Sequence, residues 1–148
     1  MKKIISLMLA LVLLMFCGCA YKSTPAIKIK HDSVEKIEFK RTEFSTDDPL
    51  ARNYVKKTVI NENDITSIIK WIEKLELIKH EAIEIPVEEV KYVITLCGVK
   101  DHTLIFYDKY VVYDNTAFTF EKASQQQQVS EKYNLLNYEE QTTELDLI

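Results

Sequence analysis

Five apolar residues recur at helical spacing in the middle of the chain: Ile65, Ile68, Ile69, Ile72 and Leu75, at i, i+3, i+4, i+7 and i+10. At roughly 100° per residue they fall on one stripe. Thr66, Ser67, Lys70, Glu73 and Lys74 fall opposite, with Trp71 at the margin. Asn61 supplies an N-cap oxygen, and Asp64 stands three residues on, where a capping box wants an acid. The spacing therefore predicts a helix over 61–77. Such a stripe has to be covered, and a sheet is the only large partner the rest of the chain offers.

The flanking segments read as strands. Segment 34–40 (VEKIEFK) puts Ile37 and Phe39 on one face, and 54–60 (YVKKTVI) is rich in β-branched residues. They are joined by a turn-rich loop over 41–52 that contains Ser45, Thr46, Asp47, Asp48 and Pro49. Segment 80–87 reads as a connector broken by Pro86. Segment 88–97 then alternates, with Val90, Tyr92, Ile94 and Leu96 on one face and Lys91, Val93, Thr95 and Cys97 on the other. Strands at 102–107, 110–113 and 117–120 follow, separated by tight turns at Asp108-Lys109 and Asp114-Asn115. Asp and Asn tolerate the positive φ that primed hairpin turns need. A second helix is expected over 124–137, with Val129, Tyr133 and Leu136 on one face and Gln125 to Gln128 as a solvated first turn. From Glu139 onward the chain reads as a frayed acidic tail. The fold class is α+β: a mostly antiparallel sheet, one amphipathic helix packed on a face, and a C-terminal helix. One domain is expected over 34–138, with an acidic tail over 139–148.

Composition narrows the function. The chain has 148 residues, a formal net charge of −4 and only 2 glycines. Gly18 and Gly98 cannot build a phosphate-cradling loop, which excludes Walker and dinucleotide fingerprints. An acidic balance argues against nucleic acid as the main partner, since phosphate binding needs a surplus of Lys and Arg.

The N-terminus reads as an address. Met1-Lys2-Lys3 is basic, and residues 4–17 are apolar except for Ser6. Fourteen residues are too short for a bilayer span, which needs about 20, but suit a secretory h-region. The run ends in Phe16-Cys17-Gly18-Cys19-Ala20, which resembles a bacterial lipoprotein signal, where a small residue precedes the cysteine that is lipidated. Residues 1–18 are then the signal peptide and Cys19 the lipidation site. Cys17 fits less well because the bulky Phe16 precedes it. Loss of Lys2 and Lys3 with the signal takes the net charge from −4 to −6. The resemblance implies a diacylglyceryl group on Cys19; two acyl chains hold firmly, at about 0.8 kcal/mol per buried methylene. Only Cys19 and Cys97 remain after processing, so no internal disulfide forms. Residues 19–33 read as a lysine-bearing tether, with Ile27-Lys28-Ile29-Lys30 open to a second reading as an edge strand.

Candidate chemistry is sparse. His80-Glu81-Ala82-Ile83-Glu84 begins like a zincin helix, but Glu84 stands where the second His is needed, and Pro86 follows. Cys97 lies across a hairpin turn from His102, yet on an alternating strand it reads as a small buried hydrophobe. Glu88-Glu89 are adjacent on a strand and point to opposite faces, unlike the paired carboxylates of a glycosidase. No catalytic residue, metal site or cofactor is expected. The suggestive feature is aromatic: Tyr92, Tyr107, Tyr110 and Tyr113 crowd one meander and are candidates for a binding surface on an open sheet face. The alternative is that they are core and cross-strand pairs.

The run N-x-x-D-I…I-I-x-W-I, from Asn61 to Ile72, followed by a strand, a hairpin and a tyrosine-rich strand pair, resembles small lipoproteins of Gram-positive bacteria with a YhfM-like domain. The resemblance covers about half the chain and implies a fold, not an activity or a site. The expectation is a lipid-anchored, non-enzymatic domain on the extracytoplasmic side of the cell membrane, binding an envelope protein or ligand. The alternative is an envelope hydrolase.

Overall fold

A computed structural model describes residues 26–44, 52–80 and 89–143. The expected signal, Cys19, the 45–51 part of the loop, residues 81–88 and the last five residues lie outside the described residues. A short 3-10 turn (His31–Ser33) leads into β1 (Val34–Phe44) and β2 (Arg52–Val59). Helix α1 (Glu62–Glu73) and a short β3 (Leu77–Lys79) follow. The meander is β4 (Tyr92–Gly98), β5 (His102–Phe106), β6 (Tyr110–Tyr113) and β7 (Thr116–Phe120). Helix α2 (Ser124–Leu135) and β8 (Gln141–Thr143) complete the chain. All eight strands form one antiparallel sheet in the order β3-β7-β6-β5-β4-β1-β2-β8. The α+β class read from the sequence is the one observed.

Register divides the sheet into two chemically different faces. Val55, Arg41, Tyr92, Phe106, Val111, Phe118 and Lys79 stand side by side in one row across seven strands. With Ile37, Phe39, Val59, Ile94, Leu96 and Leu104 they make the inner face, and the apolar members up to Phe118 are buried except for the half-buried Tyr92. The outer face carries Glu38 beside Thr58 and Thr95, with Thr103 next along. Lys36, Lys56 and Lys40 approach Glu38 at 3.2, 3.6 and 3.8 Å. Partial burial works to raise the Glu38 pKa, but these lysines hold it below the ordinary carboxylate value.

Helix α1 buries Ile65, Ile68, Ile69, Trp71 and Ile72 in the same core cluster as the inner face, and Leu75 just beyond the helix joins them. Trp71 stacks on Phe106 with ring centroids 6.3 Å apart. The cap is as expected: Asn61 Oδ1 accepts from the Asn63 and Asp64 amides at 2.9 and 3.3 Å. The Asp64 carboxylate accepts instead from the Tyr138 hydroxyl at 2.7 Å. Asp114 and Asn115 take φ of 43° and 68°, the left-handed pair of a primed hairpin turn. Gly98 meets β1 so closely that a Cβ there would lie 1.7 Å from the Ser33 carbonyl oxygen, so only glycine fits.

Four expectations need correction. The helix stops at Glu73, not 77, because its last turn tightens through Lys74 N to Trp71 O and Leu75 N to Ile72 O, and the chain then joins the sheet edge as β3. The packed unit begins before residue 34: Ile27 and Ile29 are buried in the core, and the Ile29 amide donates to Glu73 at 3.2 Å. This stretch is thus neither free tether nor edge strand. The unit also continues past 138, since Gln141–Thr143 pairs with β2 where a frayed tail was expected. The glutamine run is only partly solvated: Gln127 is exposed, but Gln125 is buried and accepts from the Glu76 amide at 3.2 Å.

Candidate functional site

The end of the meander meets the first half of α2 at a cleft of about 370 Å³. β4 opens with Tyr92, β5 ends at Phe106 followed by Tyr107, and Asp108 begins the turn to β6. Opposite stand Gln126, Gln127, Val129 and Ser130 of α2, with Lys91 at the mouth. Backbone pairing sets this wall: Lys91 N donates to Phe106 O and Tyr107 N to Tyr110 O, both at 2.9 Å. Gln126 Nε2 donates to Asp108 Oδ1 at 3.3 Å and ties the helix to the turn.

The cleft has an apolar floor and a polar rim. Phe106 and Val129 are buried. Tyr92 is half-buried, with its ring 6.0 Å from Phe39 and 5.9 Å from Tyr133. Burial pushes the Tyr107 phenol above its ordinary value, and the neighbouring Tyr54 adds to this, so it is a neutral donor at physiological pH. Tyr92, Tyr107, Gln127 and Ser130 make no side-chain hydrogen bond to another described residue. An apolar slot lined by a few hydroxyl and amide groups suits a small ligand or a side chain of a partner.

The four candidate tyrosines do not form one surface. Tyr92 and Tyr107 both line the cleft, but Tyr92 pairs in register with Phe106, so Tyr107, one residue on, belongs to the opposite face, near Tyr54. Tyr110 pairs with Thr119 on the outer face, while Tyr113 pairs with Leu104 on the inner side and stacks on His102 at 5.7 Å. Tyr110 and Tyr113 are three residues apart, and an odd spacing on a strand sends side chains to opposite faces. The catalytic candidates separate as well. His102 pairs with Leu96 in register, so it points to the face opposite Cys97 and bonds Asp114 instead. Burial, with help from Glu38, raises the Cys97 thiol above its ordinary pKa, the reverse of an activated nucleophile. His80 Nε2 lies 2.9 Å from Thr119 Oγ1 at the sheet edge, and Glu81 to Glu84 lie outside the described residues.

A buried cation went unrecognised in the sequence. Lys57 sits on the inner face, where alternation with Val55 and Val59 calls for an apolar residue, and its side chain is almost fully covered. Its ammonium donates to the carbonyls of Tyr133 and Leu136 at 3.1 and 2.9 Å, closing the C-terminal end of α2, and lies 4.6 Å from the Tyr133 ring centre. Arg41 covers the same ring at 5.0 Å. The signal was a lysine breaking strand alternation in YVKKTVI.

No family model matches the chain, and no curated protein or solved structure does. Among the described residues no group of three His, Cys, Asp or Glu is placed to hold a metal ion, and no helix is long and apolar enough to cross a membrane.

Proposed function

We propose that the protein is a lipid-anchored lipoprotein on the extracytoplasmic side of a bacterial cell membrane, resembling the YhfM-like lipoproteins. Its domain binds an envelope protein or ligand without transforming it, through the cleft between α2 and the end of the meander. The observation that carries this reading is the cleft itself, in which the apolar Phe106 and Val129 share one lining with Tyr92, Tyr107, Gln127 and Ser130, whose side chains make no hydrogen bond to another described residue. The anchor rests on the basic start, the short apolar run and Gly18-Cys19.

Three measurements test it. Metabolic labelling with a fatty acid should mark the wild type and be lost in Cys19→Ala; loss with Cys17→Ala instead moves the site. A photo-crosslinking residue at position 107 should capture an envelope component, whereas one at the exposed Val99 should not. In complementation of a deletion strain, the Tyr92→Ala/Tyr107→Ala pair should impair function, because binding surfaces lose affinity through their aromatic anchors. His80→Ala and Cys97→Ala should leave it intact. Loss of function in a folded, anchored Cys97→Ala protein would favour the hydrolase reading instead.

A further inference from the structure

A second concave site lies on the other side of α2. Lys70 of α1, Lys74 at the cap just past its end and Lys132 on α2 line a groove of about 490 Å³ together with Thr66, Ser67 and the edge of Trp71. No carboxylate lines it. The acids of α1 nearest the groove are engaged elsewhere: Glu73 accepts from the Ile29 amide at 3.2 Å and faces His31 at 3.5 Å, and Asp64 accepts from Tyr138. Glu62 and Glu131 are exposed outside it. Lys36, Lys40, Lys56, Lys91 and Lys122 each lie within 4 Å of a carboxylate. The three groove lysines have no such partner among the described residues. On a chain of net charge −4, a concave site lined by three unpaired cations holds a local potential opposite to that of the molecule.

The entry of the chain is fastened to the end of α1, at the residue next in sequence to Lys74 of this groove. Ile27 and Ile29 are buried, the Glu73 carboxylate holds the Ile29 amide, and Lys28 and Lys30 are exposed between and after them. Glu73, the last residue of α1, stands between Lys70 and the cap residue Lys74 in sequence. Only six residues lie between Cys19 and Ala26, and the seven steps of chain reach at most roughly 25 Å. A lipid on Cys19 would therefore keep the last turn of α1 close to the bilayer surface.

We infer that the α1–α2 groove is the membrane-facing side of the domain and takes the phosphate groups of anionic phospholipids. This rests on the Cys19 anchor proposed above. A lysine near an anionic surface is worth about a fivefold gain, so three favour the docked orientation roughly 100-fold. The gain falls as the Debye length shrinks from about 10 Å at 0.1 M salt to about 3 Å at 1 M.

Trp71 is the only tryptophan of the chain and lies in the groove, so it reports directly. The full lipidated protein is reconstituted in vesicles of phosphatidylcholine, with or without phosphatidylglycerol, carrying a trace of headgroup-labelled dansyl lipid. Energy transfer from Trp71 should rise with phosphatidylglycerol and fall back at high salt. It should be lost in the Lys70→Gln/Lys74→Gln/Lys132→Gln variant and kept in the matching Lys→Arg variant, both with wild-type circular dichroism. Transfer that ignores phosphatidylglycerol, or survives the glutamine variant, overturns the inference. So does a groove that responds to inorganic phosphate in detergent but not to anionic vesicles, which would make it a site for free phosphate. Flotation with pure phosphatidylcholine vesicles reads the anchor alone. If the protein fails to float there, the anchor reading fails, and lysine-dependent flotation on phosphatidylglycerol vesicles still decides the groove.

Discussion

Helix α1 buries four isoleucines and a tryptophan, whereas α2 buries one valine, one tyrosine and one glutamine. Both are 12 residues long and both contribute to one core. The first adheres through apolar area, which is non-directional and proportional to the surface removed from water. The second is fastened by directional bonds: Gln125 to the Glu76 amide, Gln128 to the Trp71 indole at 3.4 Å, the Tyr133 hydroxyl to Val55 O at 3.2 Å, and Lys57 to its last carbonyls. A helix held this way is cut to a particular neighbour, and losing one bond leaves a buried partner unsatisfied. Both concave sites are walled by α2, so the more specifically fastened helix is the one that shapes them.

The comparison can be broken from the α1 side first. Ile72→Ala should cost about 2–5 kcal/mol in denaturant unfolding, since it opens a cavity under the sheet. Lys57→Met should cost about 1.5–3 kcal/mol through the lost charged hydrogen bonds. Its signature is local: amide exchange should speed up in α2 while α1 stays protected. Equal loss of protection in both helices would show that the two are not fastened independently.

Alkaline pH sharpens the same contrast. Burial pushes the Tyr133 phenol far above its ordinary value of 10.0, and Glu140 adds to this. The folded state therefore holds the proton more tightly than the unfolded state. Its contribution is fully present below about pH 10 and is lost as the pH rises toward the folded value. Stability should fall above pH 10, with α2 exchange leading, and Tyr133→Phe should flatten that part of the profile. A profile unchanged by Tyr133→Phe would place the alkaline loss elsewhere. The smallest effect belongs to the outer crest of α1: Lys70→Ala should change stability by less than about 0.5 kcal/mol, because Lys70 is exposed.

By itself the sequence determined what depends on local period and local chemistry. The isoleucine stripe, the Asn61 cap, the inner and outer faces of β4 and the Asp114-Asn115 turn are all set by spacings of a few residues. The same reasoning, applied residue by residue, separates Tyr110 from Tyr113, which sheet alternation sends to opposite faces. What only the tertiary structure decided are the contacts between groups 40 to 80 positions apart. Ile29 meets Glu73, Glu76 meets Gln125, and Lys57 meets Tyr133 and Leu136. A glutamine or lysine has no apolar period to betray it, and its burial is tolerable only once a distant carbonyl or amide arrives to satisfy it. The cleft and the lysine groove belong to this second class, because each takes one wall from α2 and the other from a segment remote in sequence.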